Sequence, residues 1–261
     1  MQVIRENPNI EELKKEGYVC ADLHYHSTFS DGSSTPEQIV KRAKELNIWF
    51  AITDHNEIKG SLESQRFTKF SIPAIEITSN EKQDILVYFY NKKDLVHFYT
   101  RIVEKHRTPN RGVNMNTISL AFETILENVK KYKCVTVLPH PFTMRPKNSA
   151  QFIEDNQYLL RYIDGIEVVN GLMPKSRNIQ GERWCLEKGK VPFGGSDGHH
   201  LGALGEVVTA VKCDGTIENF LDNLKKGRIK VVGKELTMTK AFKSRTTILK
   251  RNIKMRMGKD E

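Results

Sequence analysis

The sequence predicts an α/β protein, a barrel of parallel strands with helices on the outside. Three observations lead there. Short apolar, β-rich runs alternate with longer helix-like stretches along a single chain, the pattern of a parallel sheet whose crossovers are helices. The runs are nearly continuous in apolar residues, as in strands buried on both faces. Seven or eight such units fall within about 230 residues, which favours closure into a barrel over an open sheet.

Taken in order, the strand runs are 19–24, 48–54, 72–78, 85–90, 134–140, 165–170 and 191–197, with a later candidate at 207–211. The first long helix, 36–46, opens after Ser34-Thr35-Pro36, a start signal with proline in the first turn. Further helices are expected at 94–106, 117–131, 151–162, 175–188 and 216–226. The stretch 107–116 (RTPNRGVNMN) reads as a loop belonging to a helical insertion near 92–131. The chain shows no internal repeat and no low-complexity linker. The expected organisation is an N-terminal extension (1–17), one barrel domain (18–239) and a basic C-terminal tail (240–261).

Composition narrows the class. Hydrophobic residues make up 38% and charged residues 28%, a globular balance on the polar side. No apolar run approaches the ~20 residues that span a bilayer, so no membrane role is expected. The first residues carry mixed charge and no apolar segment, unlike a secretory leader. Cys20, Cys134, Cys185 and Cys213 are far apart, without a Cys-x-x-Cys pair. They read as free thiols in a cytoplasmic protein, not as a disulfide framework or thiolate zinc site. The net charge is +9, and residues 240–261 hold eight Lys/Arg against two Asp/Glu. Such a tail can attract nucleic acid through phosphates, although such a run is more often a solvated helix or a loose end, and base-reading motifs are lacking.

The chemistry sits at the ends of the strand runs. His24 and His26 are two residues apart at the end of the first run, so they share one face of a strand. On its own a His-x-His pair also occurs in ordinary loops. Here it is joined by Asp31, by Asp54-His55 ending the second run, Glu76 in the third, His140 in the fifth and Asp197-Gly198-His199-His200 in the seventh. Six of the eight histidines fall at such ends, and only His97 and His106 do not. In a parallel barrel these ends lie on one face, where active sites are built. So many buried polar groups need something to satisfy them. Imidazole and carboxylate together suit divalent Mn, Fe or Zn. Ions clustered there would lower the pKa of bridging water and clamp phosphoryl oxygens. Arg145 and Arg177, close in sequence to the site segments, are candidate phosphate binders, though each also fits a plain surface arginine. Asp22 and Asp54 are placed to orient ligand imidazoles or cap strand ends, and Glu167 reads as a structural or supporting carboxylate. Without a Rossmann or Walker glycine pattern, no organic cofactor is expected.

These segments resemble the PHP (polymerase and histidinol phosphatase) family. The resemblance lies in Asp22-Leu-His24-Tyr-His26-Ser-Thr-Phe-Ser30-Asp31-Gly32, Ile52-Thr-Asp-His55, Ile75-Glu76-Ile77, Leu138-Pro-His140-Pro141 and Gly195-Ser-Asp197-Gly-His199. It covers about residues 18–200 and implies a distorted seven-stranded (β/α) TIM-like barrel holding two or three divalent metal ions. It further implies that His24, His26, Glu76 and Asp197 hold one ion, that Glu76 bridges to a second also held by His140, and that Asp31, His55 and His199 hold a third. Many family members carry a histidine before the fourth strand, where this chain has Asp84. Asp84 is therefore a candidate oxygen ligand of the second ion. The expected activity is hydrolysis of a small phosphate ester, a nucleotide or sugar phosphate, by a metal-bridged hydroxide. The alternatives are a nuclease acting on nucleic acid ends and a metal-binding regulatory module without activity.

Overall fold

The computed structural model describes residues 2–107, 117–145 and 147–235. Most of the 107–116 loop and the whole basic tail 240–261 lie outside them. The strands are β1 (Gln2–Ile4), β2 (Tyr18–Tyr25), β3 (Trp49–Ile52), β4 (Ala74–Thr78), β5 (Asp84–Phe89), β6 (Cys134–Leu138), β7 (Gly165–Asn170), β8 (Val191–Gly195), β9 (Val207–Lys212) and β10 (Ile229–Gly233). The helices are α1 (Ile10–Lys15), α2 (Pro36–Leu46), α3 (Lys59–Phe67), α4 (Lys92–Phe98), α5 (Phe122–Val129), α6 (Ser149–Asp155), α7 (Lys175–Glu187) and α8 (Ile217–Lys225).

Local chemistry explains the clearest elements. Thr35 caps α2, accepting from the Gln38 backbone N–H while the Gln38 side chain returns the bond, and Pro36 occupies the first turn; this reciprocal box satisfies two otherwise orphaned donors. Asn47, in the left-handed region at φ 57, ends the same helix. The apolar stripe of α2 (Ile39, Val40, Ala43) packs with Phe50, Ile52 and Val208 in a smaller core. The larger core lies among β4 to β8 and helices α4 to α8, and takes in Leu23 and Ala51 of β2 and β3 and Val207 and Val231 of β9 and β10. The expected helix 94–106 begins as α4, continues as a π-turn over Tyr99–Val103 and ends as a 3₁₀ turn over Glu104–His106. No helix among the described residues is long and apolar enough to cross a membrane.

The strands form two five-stranded sheets, ordered β1-β10-β9-β2-β3 and β4-β5-β6-β7-β8. Among the described residues their ladders do not run on into one closed barrel. Single bridges link them instead, at Phe50↔Ser71 and His55↔Glu76 on one side and Tyr25↔Gly198 on the other. The expectation of uniformly parallel strands needs correction. Parallel pairing holds for β2–β3, β6–β7, β7–β8 and β1–β10, but β4–β5, β5–β6, β2–β9 and β9–β10 are antiparallel. The reason is plain at β4–β5. Only residues 79–83 connect them, with Lys82 in the left-handed region at φ 63. A parallel crossover needs a dozen residues or more, so so short a link makes a hairpin. The opening residues Gln2–Ile4 pair in parallel with β10, which seats them on the edge of the first sheet.

Candidate metal centre

His24 lies on β2 and His26 just beyond its end, and both are fully buried. The neighbouring strand β8 must come close for Asp197 to meet them, and Gly195 permits it. A Cβ there would lie 2.4 Å from the His24 Cβ, which no side chain could occupy. His24 Nε2 stands 3.4 Å from Glu76 Oε2 and 3.5 Å from Asp197 Oδ1, and His26 Nε2 stands 3.4 Å and 3.2 Å from the same two atoms. Across the cluster, His140 Nε2 is 3.5 Å from Glu76 Oε1 and His55 Nδ1 is 3.3 Å from Glu76 Oε2. On the outer side, Asp31 faces His26 Nδ1 at 3.4 Å and His199 Nε2 at 3.1 Å.

Four overlapping triples of donor atoms result, each within 4.8 Å: His24–His26–Asp197, His24–Glu76–His140, His26–Asp31–His199 and His26–His55–Glu76. The structure thus gathers His24, His26, Asp31, His55, Glu76, His140, Asp197 and His199. Asp84, the other expected ligand, stands outside these triples and pairs with Arg145 at 2.9 Å. Arg177, in the first turn of α7, donates to Gln180 at 3.2 Å. His97 and His106 bond elsewhere, to Tyr132 and to the Ile102 carbonyl.

The donor set fits divalent ions on two counts. First, His24 Nε2, both ring nitrogens of His26, both oxygens of Glu76 and His140 Nδ1 are buried without a hydrogen-bond partner. Native interiors rarely leave such atoms unsatisfied, and unplaced ions are one standing reason when they do. Second, the charges interlock. Burial opposes the ionised forms of Glu76 and Asp197, yet the facing imidazoles hold both carboxyls well below the usual range. Burial likewise opposes a charged His24, yet Asp197, Glu167 and Glu76 raise its pKa well above the ordinary value, and Asp31 lifts His199 against burial to about 9. His55 and His140 are raised too, against burial, by Glu76 foremost, with Asp84 contributing to each. A cavity that draws positive charge onto nitrogen ligands offers the same field to a cation.

A surrounding layer fixes these candidate ligands. Glu167 Oε1 lies 3.0 Å from His24 Nδ1, while its Oε2 accepts from the His140 backbone N–H at 2.9 Å and from Asn170 at 2.8 Å. Asn170 also donates to Asp197 Oδ2 at 3.1 Å. Asp22 accepts from the backbone N–H groups of Ser196 (3.0 Å) and Gly205 (2.9 Å), tying β2 to the segment that carries Asp197. Asp54 accepts from the Ser27 N–H and from the hydroxyls of Ser27 and Ser30, holding the loop that carries Asp31. The bonds of Ser27 and Ser30 to Asp54 and of Asn170 to Asp197 are not foreseen from the sequence. Their one signal was adjacency to ligand segments. His140 and Asp197 themselves occupy the left-handed region, at φ 29 and φ 51.

A mixed α/β fold with histidines and carboxylates gathered at strand ends defines a metal-dependent hydrolase. The PHP domain model matches residues 22–200 and a PHP-associated model matches residues 175–229, and the chain belongs to the PHP family of metal-dependent phosphoesterases. An uncharacterised protein of Methanocaldococcus jannaschii is 28% identical over 166 residues, which is 58% of this chain and 81% of that protein. Among solved structures, a two-domain protein of Bacteroides vulgatus containing a predicted PHP-like metal-dependent phosphoesterase aligns with TM-score 0.59 at 18% identity, covering 90% of this chain and 70% of that one. Endonuclease Q, solved with a 27-mer duplex bearing an abasic lesion at the active site, aligns with TM-score 0.67 at 18% identity, covering 84% of this chain and 60% of that one.

Proposed function

We propose that this chain hydrolyses the phosphate ester of a small molecule, a nucleotide or a sugar phosphate, using two or three divalent ions of Mn, Fe or Zn. The observation that carries the reading is the set of buried, partnerless nitrogen and oxygen atoms where the four donor triples overlap. His24, His26, Glu76 and Asp197 would hold one ion, Glu76 and His140 a second, and Asp31, His55 and His199 a third. Bound there, such ions supply Lewis acidity toward a phosphoryl group and make water a stronger acid.

The chain's own residues prepare that chemistry. Glu167 accepts the Nδ1–H of His24 and so leaves the Nε2 lone pair facing the site, the usual device by which a carboxylate fixes an imidazole ligand. Arg145 and Arg177 are the cations proposed for the substrate phosphate, since the guanidinium fork matches two phosphate oxygens. The same reading takes β2 to β8 as a distorted seven-stranded barrel whose seams are the single bridges, with the site at its open end. The four free cysteines suit a cytoplasmic setting, where thiols stay reduced.

A second reading is a nuclease. It draws on the fold shared with Endonuclease Q and on the net charge of +9, which favours polyanions. A panel of phosphomonoesters, phosphodiesters and end-labelled oligonucleotides, each assayed with Mn, Fe, Zn and Mg, separates the two. Turnover of small monoesters that survives truncation after Thr239 supports the first. Activity confined to oligonucleotides and lost with the tail supports the second. Stoichiometric metal without turnover of any phosphoester would sink both and leave a regulatory metal-binding module.

A further inference from the structure

The His140 edge of the cluster carries an ion pair that the donor triples leave out. Asp84 opens β5 and pairs across the ladder with Thr78, the last residue of β4. Directly opposed residues in antiparallel strands project to the same side, and Thr78 shares its side with Glu76 two residues before it. Asp84 therefore stands on the face that carries the site. It is fully buried, and its Oδ2 accepts from Arg145 Nη1 at 2.9 Å. The same nitrogen donates to the Lys82 carbonyl at 3.0 Å, in the hairpin turn just before β5. Arg145 lies five residues beyond His140 and its side chain is 33% exposed.

A buried carboxylate requires a counter-charge. This one has a guanidinium that is itself partly open to solvent. We propose that Asp84 anchors Arg145 and does not bind an ion, and that the pair fixes a guanidinium at the His140 edge to bind the phosphoryl oxygens of the substrate. The inference rests on the phosphoesterase reading. Exchanging a nitrogen donor for an Asp–Arg pair gives up one ion contact and gains a cation held in place from two sides, by a carboxylate and by a turn carbonyl. A guanidinium held this way loses less freedom when phosphate arrives, which is where preorganised sites gain affinity. Arg145 would touch substrate, and Asp84 is a positioning residue acting through it. The other carboxylate oxygen, Asp84 Oδ1, is buried without a hydrogen-bond partner. A ligand role for Asp84 would use that atom, and metal content reads it directly.

The test uses the full chain loaded with Mn, with inorganic phosphate as the probe. Wild type, Asp84→Asn, Arg145→Ala, Arg145→Lys and the Asp84→Asn/Arg145→Ala double variant are compared for Mn per chain and for phosphate affinity by calorimetry, with thermal unfolding to verify folding. The expected result is unchanged Mn content throughout. Phosphate binding should weaken about tenfold or more in Arg145→Ala, the value of a charge-assisted hydrogen bond. Asp84→Asn should weaken it less, Arg145→Lys should recover only part, and the double variant should be no weaker than Arg145→Ala, since the two residues act as one unit. Loss of a Mn equivalent in Asp84→Asn, or wild-type phosphate affinity in Arg145→Ala, overturns the inference alone. If Asp84→Asn does not fold, the Arg145→Ala result still decides. A wild-type protein that neither binds phosphate nor hydrolyses any phosphoester overturns the phosphoesterase reading itself, and this shows before any variant is compared.

Discussion

Two buried polar clusters lie side by side at the ends of β2 and β3, one around Asp54 and one around Glu76. They differ in how their atoms are satisfied. Asp54 Oδ1 accepts from the Ser27 N–H at 2.7 Å and the Ser30 hydroxyl at 2.6 Å, and Oδ2 accepts from the Ser27 hydroxyl at 2.6 Å. Both oxygens of Glu76 are equally buried and have no hydrogen-bond partner, only imidazole nitrogens at 3.3 to 3.5 Å. One carboxylate is completed by protein donors and serves the architecture. The other faces only imidazoles, a donor set that a divalent ion would complete. The contrast teaches that burial and charge do not separate a structural acid from a candidate ligand. The identity of the neighbours does.

Three experiments break or sharpen that contrast. The largest effect is expected from removing what completes Glu76. Chelation of the metal-loaded protein, or Asp197→Asn, should abolish phosphoester turnover. Chelation should also lower stability by about 2.7 kcal/mol for each ion that had been present at a hundredfold excess over its Kd. Thermal unfolding with and without chelator measures it, and an unchanged midpoint would show that the cluster is content without ions. Next comes Glu167→Gln, which keeps the shape but weakens the grip on His24 Nδ1 and the His140 backbone. Metal affinity should fall roughly ten- to hundredfold, as is usual for carboxylates behind ligand imidazoles. Competition with a chromogenic chelator reads this, and wild-type affinity would leave Glu167 a structural residue only. The smallest effect on metal belongs to Asp54→Asn. An amide NH₂ now faces serine donors, so the variant should lose about 1–3 kcal/mol of stability while the ions held by His24, His26, Glu76 and Asp197 stay bound. Elemental analysis beside denaturant unfolding tests the split. Loss of those ions with stability intact would reverse the roles given to the two acids.

The histidines and carboxylates of the site were legible in the sequence because they interrupt or directly follow apolar strand runs, where core residues would be expected. His24, His26, Glu76 and Asp197 stand out against Ala21, Leu23, Ile75, Ile77, Phe193 and Gly194 on that ground alone. Strand direction was not legible. The run 85–90 has the same apolar pattern whichever way it points, and only the short 79–83 link betrays the hairpin. Helix α3 (KGSLESQRF) was missed because its buried positions are Gly60, Ser61 and Ser64 and not large apolar residues. Small side chains are needed there, since a Cβ on Gly60 would lie 2.2 Å from Asp54 Oδ2. Strand β10 was hidden by Lys230, which breaks its short apolar run after the first residue. The partner of Asp84 was invisible for another reason. Arg145 is 61 residues away, and nothing local to either residue announces the other.

The left-handed backbone at His140 and Asp197 has a consequence for how this protein would evolve or be engineered. Non-glycine residues held in that region carry strain of order 1–3 kcal/mol each, and glycine adopts the same angles without it. Glycine at either position would relieve that strain, yet it would also open a cavity. In place of Asp197 it would further orphan the Asn170 donor that Asp197 accepts and strip the imidazoles of their counter-charge. The strained angles are thus held in place by the same contacts that gather the site, a local case of the trade between stability and activity.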